Sequence, residues 1–172
     1  MINQLLKISL PIIALNILSG CQTFQDMPTA TAIIQAKSGS NIQGSLNFSQ
    51  TNHLVTVSGT FSGLKPNSAQ GIHIHEKGDC SAADATSAGG HYNPSNLPHG
   101  SSSESNHHAG DMPNIMSDEN GNASYKVTLK DFTLSGEQSI IGRSVIVHRD
   151  PDDYKTQPSG NSGPRIGCGI IR

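Results

Sequence analysis

Nowhere after residue 30 does this chain sustain an apolar repeat of 3.6 residues. Short apolar or alternating segments recur instead, near residues 31–37, 42–49, 53–61, 70–76, 123–130, 139–148 and 165–171. That pattern excludes amphipathic helices as the main framework and predicts strands. Turn residues separate them: Ser38-Gly39, Pro66-Asn67 and Asn120-Gly121, the last read as a hairpin turn. Charged residues are 14% of the chain, against ~25% in an average soluble domain, while Gly (18) and Pro (9) are plentiful. At 172 residues the chain has room for one compact domain. The expectation is an all-β antiparallel sandwich or flattened barrel. The net charge of −2 offers no footprint for nucleic acid, so none is expected as a partner.

Two segments break the rhythm. Residues 77–119 and 149–164 are rich in Gly, Ser, Asn and Pro and carry no periodic pattern. A loop of such length persists in a compact domain when it is functional or when something orders it.

Residues 1–20 read as a targeting segment to be set apart from the fold. Lys7 precedes an apolar run of 11 residues, Ile8 to Leu18, interrupted by Ser9, Pro11 and Asn16. That run is too short for a bilayer span of ~20 residues. It ends in Leu18-Ser19-Gly20-Cys21, which resembles the bacterial lipobox, whose cysteine becomes the lipidated first residue. A plain signal peptide with Cys21 as a bystander is the competing reading. Cleavage before Cys21 removes Lys7 and leaves a net charge of −3. Residues 21–30 then serve as lipidated cysteine and tether, and residues 31–172 as the domain. Gln22, in place of an aspartate, favours the outer membrane by resemblance to the usual sorting pattern. Lipidation of Cys21 also explains an odd count of three cysteines: Cys80 and Cys168 remain, in a compartment where a disulfide would persist.

Eight histidines are the strongest chemical signal. His73 and His75, at i and i+2 of Gly-Ile-His-Ile-His, project from one face of a strand, with Ile72 and Ile74 on the other. Taken alone, the pair also fits a solvated polar face. His91, His99, His108 and Asp111 lie in the first long loop, and His148 ends the apolar strand Ser-Val-Ile-Val. Each of these singly is an ordinary loop histidine. Together, six imidazoles and one carboxylate without a thiol suit an imidazole site for copper and a nitrogen-rich site for zinc.

The motifs Gly-Ile-His-Ile-His-Glu, Gly-Gly-His-Tyr-Asn-Pro, His-Ala-Gly-Asp, Ile-Ile-Gly-Arg-Ser-Val-Ile-Val-His and Gly-Pro-Arg-Ile-Gly-Cys-Gly are together similar to those of the copper/zinc superoxide dismutases. The likeness runs through nearly all of residues 31–171 in the family's order. It implies a Greek-key sandwich of about eight strands, with two long loops forming the metal site. It implies copper on His73, His75, His91 and His148, and zinc on His91, His99, His108 and Asp111, so that His91 bridges the ions. It implies that Asp152 joins His73 to His99, that Arg165 holds the anionic substrate, and that Cys80 pairs with Cys168. His107 competes with His108 in the motif and is expected to be exposed. His53 matches no ligand and is expected on a strand surface. The implied reaction is dismutation of superoxide to oxygen and hydrogen peroxide, with copper cycling between two oxidation states and His91 carrying a proton.

Cys80 falls five residues after His75, a short spacing similar to that of the family's bacterial periplasmic branch. Residues 153–164 lack the charged cluster of the animal enzymes, which leaves Lys77 and Lys155 as candidates for steering substrate. Dimer contacts differ between branches, so a homodimer is open. The alternative reading is a metal-binding module on the same fold without turnover.

Overall fold

In β1 (Thr29–Ala36) the side chains of Ala30, Ala32 and Ile34 are buried, while Thr29, Thr31 and Ile33 face water. The same period of two runs through β2 (Gln43–Thr51), β3 (Leu54–Ser62) and β7 (Ala123–Leu129). Leu46, Phe48, Val55, Val57, Phe61 and Tyr125 thereby enter one core. A large apolar side chain buried this way contributes roughly 1.5–3 kcal/mol. These are features of a computed structural model that describes residues 27–172. Cys21 and the expected signal segment lie outside the described residues.

The remaining strands are β4 (Ala69–Gln70), β5 (Ile72–His75), β6 (Ile115–Met116), β8 (Ser144–His148) and β9 (Arg165–Ile170). Seven strands form one antiparallel sheet in the order β5-β8-β9-β1-β2-β3-β7, and β4 pairs with β6. The links from β3 to β5 and from β7 to β8 each carry the chain between opposite ends of the sheet, giving it Greek-key connectivity. β1 pairs with β2 along its length and with β9 only at Gln35 and Ala36, so the sheet curls about a shared core.

The expected strands over 31–37, 42–49, 53–61, 123–130 and 165–171 match within two residues. Two others differ. The 70–76 strand breaks at Gly71, whose N–H donates to Asp150 O and whose carbonyl accepts from His148 N. The 139–148 strand begins only at Ser144, because residues 140–143 form a turn closed by Arg143 N on Ile140 O at 3.0 Å. The first long loop holds a single 3-10 turn, Thr86–Ala88, and the short β6. At Asn120-Gly121 the turn is closed by Asp118 N on Asn122 O at 2.8 Å.

β5 and β8 are buried on both faces. Ile72, Ile74, Val145 and Val147 point into the main core. Behind them Ile146 packs with Ala85, Ala88 and Cys168 in a second apolar cluster beneath residues 80–90. The disulfide Cys80–Cys168 pins that loop to β9, and Lys37 Nζ donates to Cys80 O beside it.

Candidate metal centre

β5 is the last strand of the sheet, and its open edge is filled by loop backbone. Tyr92 N donates to Ile74 O at 2.8 Å, Ile74 N to Gly110 O at 2.9 Å, and Gly110 N to Tyr92 O at 2.9 Å. These bonds set His91 opposite His75 and Asp111 opposite His73. Gly110 has no substitute here: a Cβ would lie 2.3 Å from Ile74 O. The adjacent strand β8 delivers His148, and the bulge between Val147 and His148 sets that residue against Arg165 of β9.

The structure gathers the candidate ligands into two groups. His73, His75, His91 and His148 bring one ligand atom each within 4.8 Å of one another. His91, His99, His108 and Asp111 do the same, and His91 belongs to both. In the first group His73 Nδ1, His75 Nε2, His91 Nε2 and His148 Nε2 are all buried without a hydrogen-bond partner. Their opposite ring nitrogens are occupied. His73 Nε2 donates to Asp152 Oδ2 at 2.8 Å, His75 Nδ1 to Gly89 O at 3.0 Å, and His148 Nδ1 to Gly163 O at 3.1 Å. A proton held on the outer nitrogen leaves a lone pair on the inner one. Four buried, unpartnered lone pairs so close together are costly unless a cation joins them.

In the second group, Asp111 Oδ1 lies 2.8 Å from His91 Nδ1, 3.0 Å from His99 Nδ1 and 3.4 Å from His108 Nδ1. Asp111 Oδ2 accepts the backbone N–H groups of Gly100 and His108, which fixes the carboxylate. Asp152 spans the groups, its Oδ1 taking His99 Nε2–H at 2.9 Å. Asp150 turns to Arg149 instead, and Asp153 to Lys155 and Thr156.

Charge follows this arrangement. Burial lowers the proton affinity of His148 to about 3 and, reinforced by His73, that of His91 to about 4. Both rings are therefore neutral at pH 7. Burial alone would lower His99 too, but Asp111 and Asp152 on its two nitrogens outweigh it and hold it near 9. Asp111 and Asp152 are held below the usual carboxylate range: burial opposes ionisation, and the surrounding imidazoles overcome it.

Arg165 is half-buried beside this centre. Its Nη1 donates to Ala85 O at 2.8 Å and its Nη2 to Gly89 O at 2.7 Å. Gly89 O therefore receives both Arg165 and His75. Lys155 is exposed in the second long loop, and Lys77 is exposed just after β5.

His107 departs from expectation. It is 5% exposed, with Nδ1 2.7 Å from His108 O and Nε2 3.7 Å from Asp131 Oδ2, so packing under the β7–β8 link covers it. His53 is exposed, in the turn between β2 and β3 and not on a strand. Several supports were invisible in the sequence. Asn114 clamps the Asp152 backbone from both sides, at 2.9 Å each way, and Gln157 does the same for His99 at 2.8 and 2.9 Å. Neither amide belongs to a motif, and the carbonyls of Gly89 and Gly163 leave no mark on residue type.

Two groups of candidate ligands that share one imidazole, one all nitrogen and one with a carboxylate, are suited to holding two metal ions. The family profile for copper/zinc superoxide dismutase matches residues 42–171. Superoxide dismutase (Cu-Zn) 2 of Aquifex aeolicus (strain VF5) is 38% identical over 153 residues, 86% of this chain and 88% of that protein. Superoxide dismutase (Cu-Zn) 1 of the same organism is 39% identical, with 86% and 89% covered. An extracellular copper/zinc superoxide dismutase of Brugia pahangi is 36% identical, with 87% and 78% covered. Among solved structures, that of the clock protein EA4 superposes with a TM-score of 0.77 at 36% identity, over 86% of this chain and 96% of that one. The chain belongs to the copper/zinc superoxide dismutase family. It is an enzyme that uses copper and zinc to convert superoxide to oxygen and hydrogen peroxide.

Proposed function

We propose that copper is held by His73 Nδ1, His75 Nε2, His91 Nε2 and His148 Nε2, and zinc by His91, His99 and His108 through Nδ1 with Asp111 Oδ1. The observation that carries this is the set of four buried, unpartnered ring nitrogens clustered in one ligand group that shares His91 with a second group containing Asp111. The donor sets fit the two ions: four imidazoles would suit copper, and three imidazoles with one carboxylate would suit zinc.

When bound, copper would supply a one-electron couple and zinc a fixed positive charge near it. The chain's residues do the rest. Asp152 and the carbonyls of Gly89 and Gly163 hold the outer ring protons of His73, His99, His75 and His148, which fixes tautomer and orientation. Arg165, braced on two carbonyls, keeps its remaining N–H groups for an incoming anion, a task that suits guanidinium geometry. His91 Nε2 is the atom that can take up a proton and hand it to reduced substrate. Over one cycle, two superoxide anions and two protons yield one O2 and one H2O2.

The enzyme is placed in the bacterial cell envelope: residues 1–20 are a lipoprotein signal, Cys21 is lipidated, and the domain stands on the periplasmic side of the outer membrane. The lipobox and the disulfide, which belongs to an oxidising compartment, support this placement.

Residues 22–172, reconstituted with one copper and one zinc, are expected to give fast superoxide decay that copper chelation abolishes. Decay no faster than that of free copper ion, with both metals bound, would move the chain to metal binding without turnover. For the anchor, the full chain expressed in a bacterium is expected to float with membranes, and Cys21→Ser to free it. Flotation unchanged by Cys21→Ser would exclude lipidation there.

A further inference from the structure

Arg143 is absent from both ligand groups, yet it touches the segments that carry two of their members. Its guanidinium carbon lies 3.8 Å from the ring centroid of Tyr92, the residue after His91. Its Nη1 donates to the carbonyl of Glu76, the residue after His75, at 2.8 Å. Its Nε donates to Ser139 O at 3.2 Å, which anchors the side chain to the turn before β8. Tyr92 is 4% exposed, so its ring cannot move off the guanidinium without opening the core. The two segments are also laced directly, by Glu76 N on Gly90 O at 2.9 Å and Gly90 N on Glu76 Oε1 at 3.2 Å. A planar cation that stacks on one segment and hydrogen-bonds the other fixes their spacing in a way neither contact could alone.

We infer that Arg143 is a positioning residue for the shared imidazole: by clamping Tyr92 to Glu76 it locks the register in which the backbone bonds to β5 set His91 against His75, and so holds His91 in reach of both ions. This rests on the reading of His91 as the bridge. Arg143 touches neither ion nor substrate and acts through the two neighbouring residues.

A merely structural arginine would alter stability and leave the bridge intact, so the test reads the bridge. Cobalt(II) is placed in the zinc position with copper in its own, and the copper paramagnetic resonance signal is recorded. A shared imidazolate couples the two spins and suppresses that signal. In the unaltered protein it is expected to be nearly silent. In Arg143→Ala, loss of the stacked cation is expected to raise uncoupled copper roughly fivefold. Arg143→Lys, which keeps the charge but not the planar fork, is expected to fall between the two. If the unaltered protein gives a full copper signal with cobalt bound, the bridge reading fails and this inference with it. If the unaltered protein is coupled and both variants are equally coupled, Arg143 has no positioning role while the bridge stands. Should Arg143→Ala not fold, Tyr92→Leu removes the other half of the clamp: uncoupling there supports the inference, and unchanged coupling overturns it.

Discussion

Asp152 carries the most at the scale of one side chain, because each of its oxygens holds a ring from a different metal group. In Asp152→Asn one oxygen becomes an NH2 that cannot accept a ring proton. Affinity for both metals is expected to fall ~10–100-fold, as is usual when the partner orienting a ligand is lost. Competition against copper-selective and zinc-selective chelators measures each separately, and an effect on one metal alone would break the link. Arg165→Ala is expected to keep both metals and lose most of the rate, since its bonds go to loop carbonyls and not to a ligand ring. Metal analysis beside superoxide decay checks this, and full rate in the variant would remove Arg165 from the mechanism. Residue type made the six histidines and Asp111 readable as candidate ligands, because few side chains offer such donors. Asn114 and Gln157 were unreadable: an amide looks the same in a sequence whether it clamps a ligand's backbone or faces water.

Among the elements, β5 and β8 are where alternation becomes function. One face of each is aliphatic and sealed in the core; the other presents His73, His75 and His148 to a loop. The loop is held by the disulfide, which closes 88 residues of sequence. By chain entropy such a closure is worth roughly 4–5 kcal/mol. Removing it also frees residues 80–90, which present Ala85 O and Gly89 O to Arg165. Cys80→Ser with Cys168→Ser is therefore expected to lower thermal stability and rate, and copper affinity with them, because Gly89 O also holds the Nδ1 proton of His75. Loss of stability alone would separate the loop from Arg165. In the second loop, Gly160 has φ +69°, and a Cβ there would lie 1.8 Å from Asp152 Oδ1. Gly160→Ala is expected to cost about 1–3 kcal/mol and to weaken zinc with it, read by denaturant unfolding and zinc competition. The strands with one wet face were legible in sequence. The break at Gly71 was not, because it is made by bonds to residues some eighty positions away.

For the whole molecule, protons would compete with any bound metal for the lone pairs of the candidate ligands. In the metal-free protein His91 and His148 titrate near 4 and 3, below the ordinary 6.5 of an unfolded histidine. As pH falls below 6.5, the unfolded chain takes up protons that the native state refuses, and stability drops. His99, held near 9, has the opposite sign: its contribution is complete below 6.5 and is lost as pH rises toward 9. The metal-free protein is thus expected to be most stable near pH 6.5, as denaturant midpoints across pH 4–9 would show. A midpoint that climbs steadily to pH 9 would contradict the His99 environment. Rebinding copper and zinc should raise stability at every pH in that range, since ligands that bind only the native state stabilise it by mass action.

Alternation, turn residues and donor chemistry are local properties, and they carried the fold class and the set of metal-seeking side chains in the sequence alone. The burial of His107, the two clamping amides, the carbonyls that hold ring protons, and Arg143 on Tyr92 depend on which distant segments meet. That meeting is decided by the curl of the sheet and by the packing of loop backbone against the edge of β5. These are energies of the assembled chain, written in no single stretch of it.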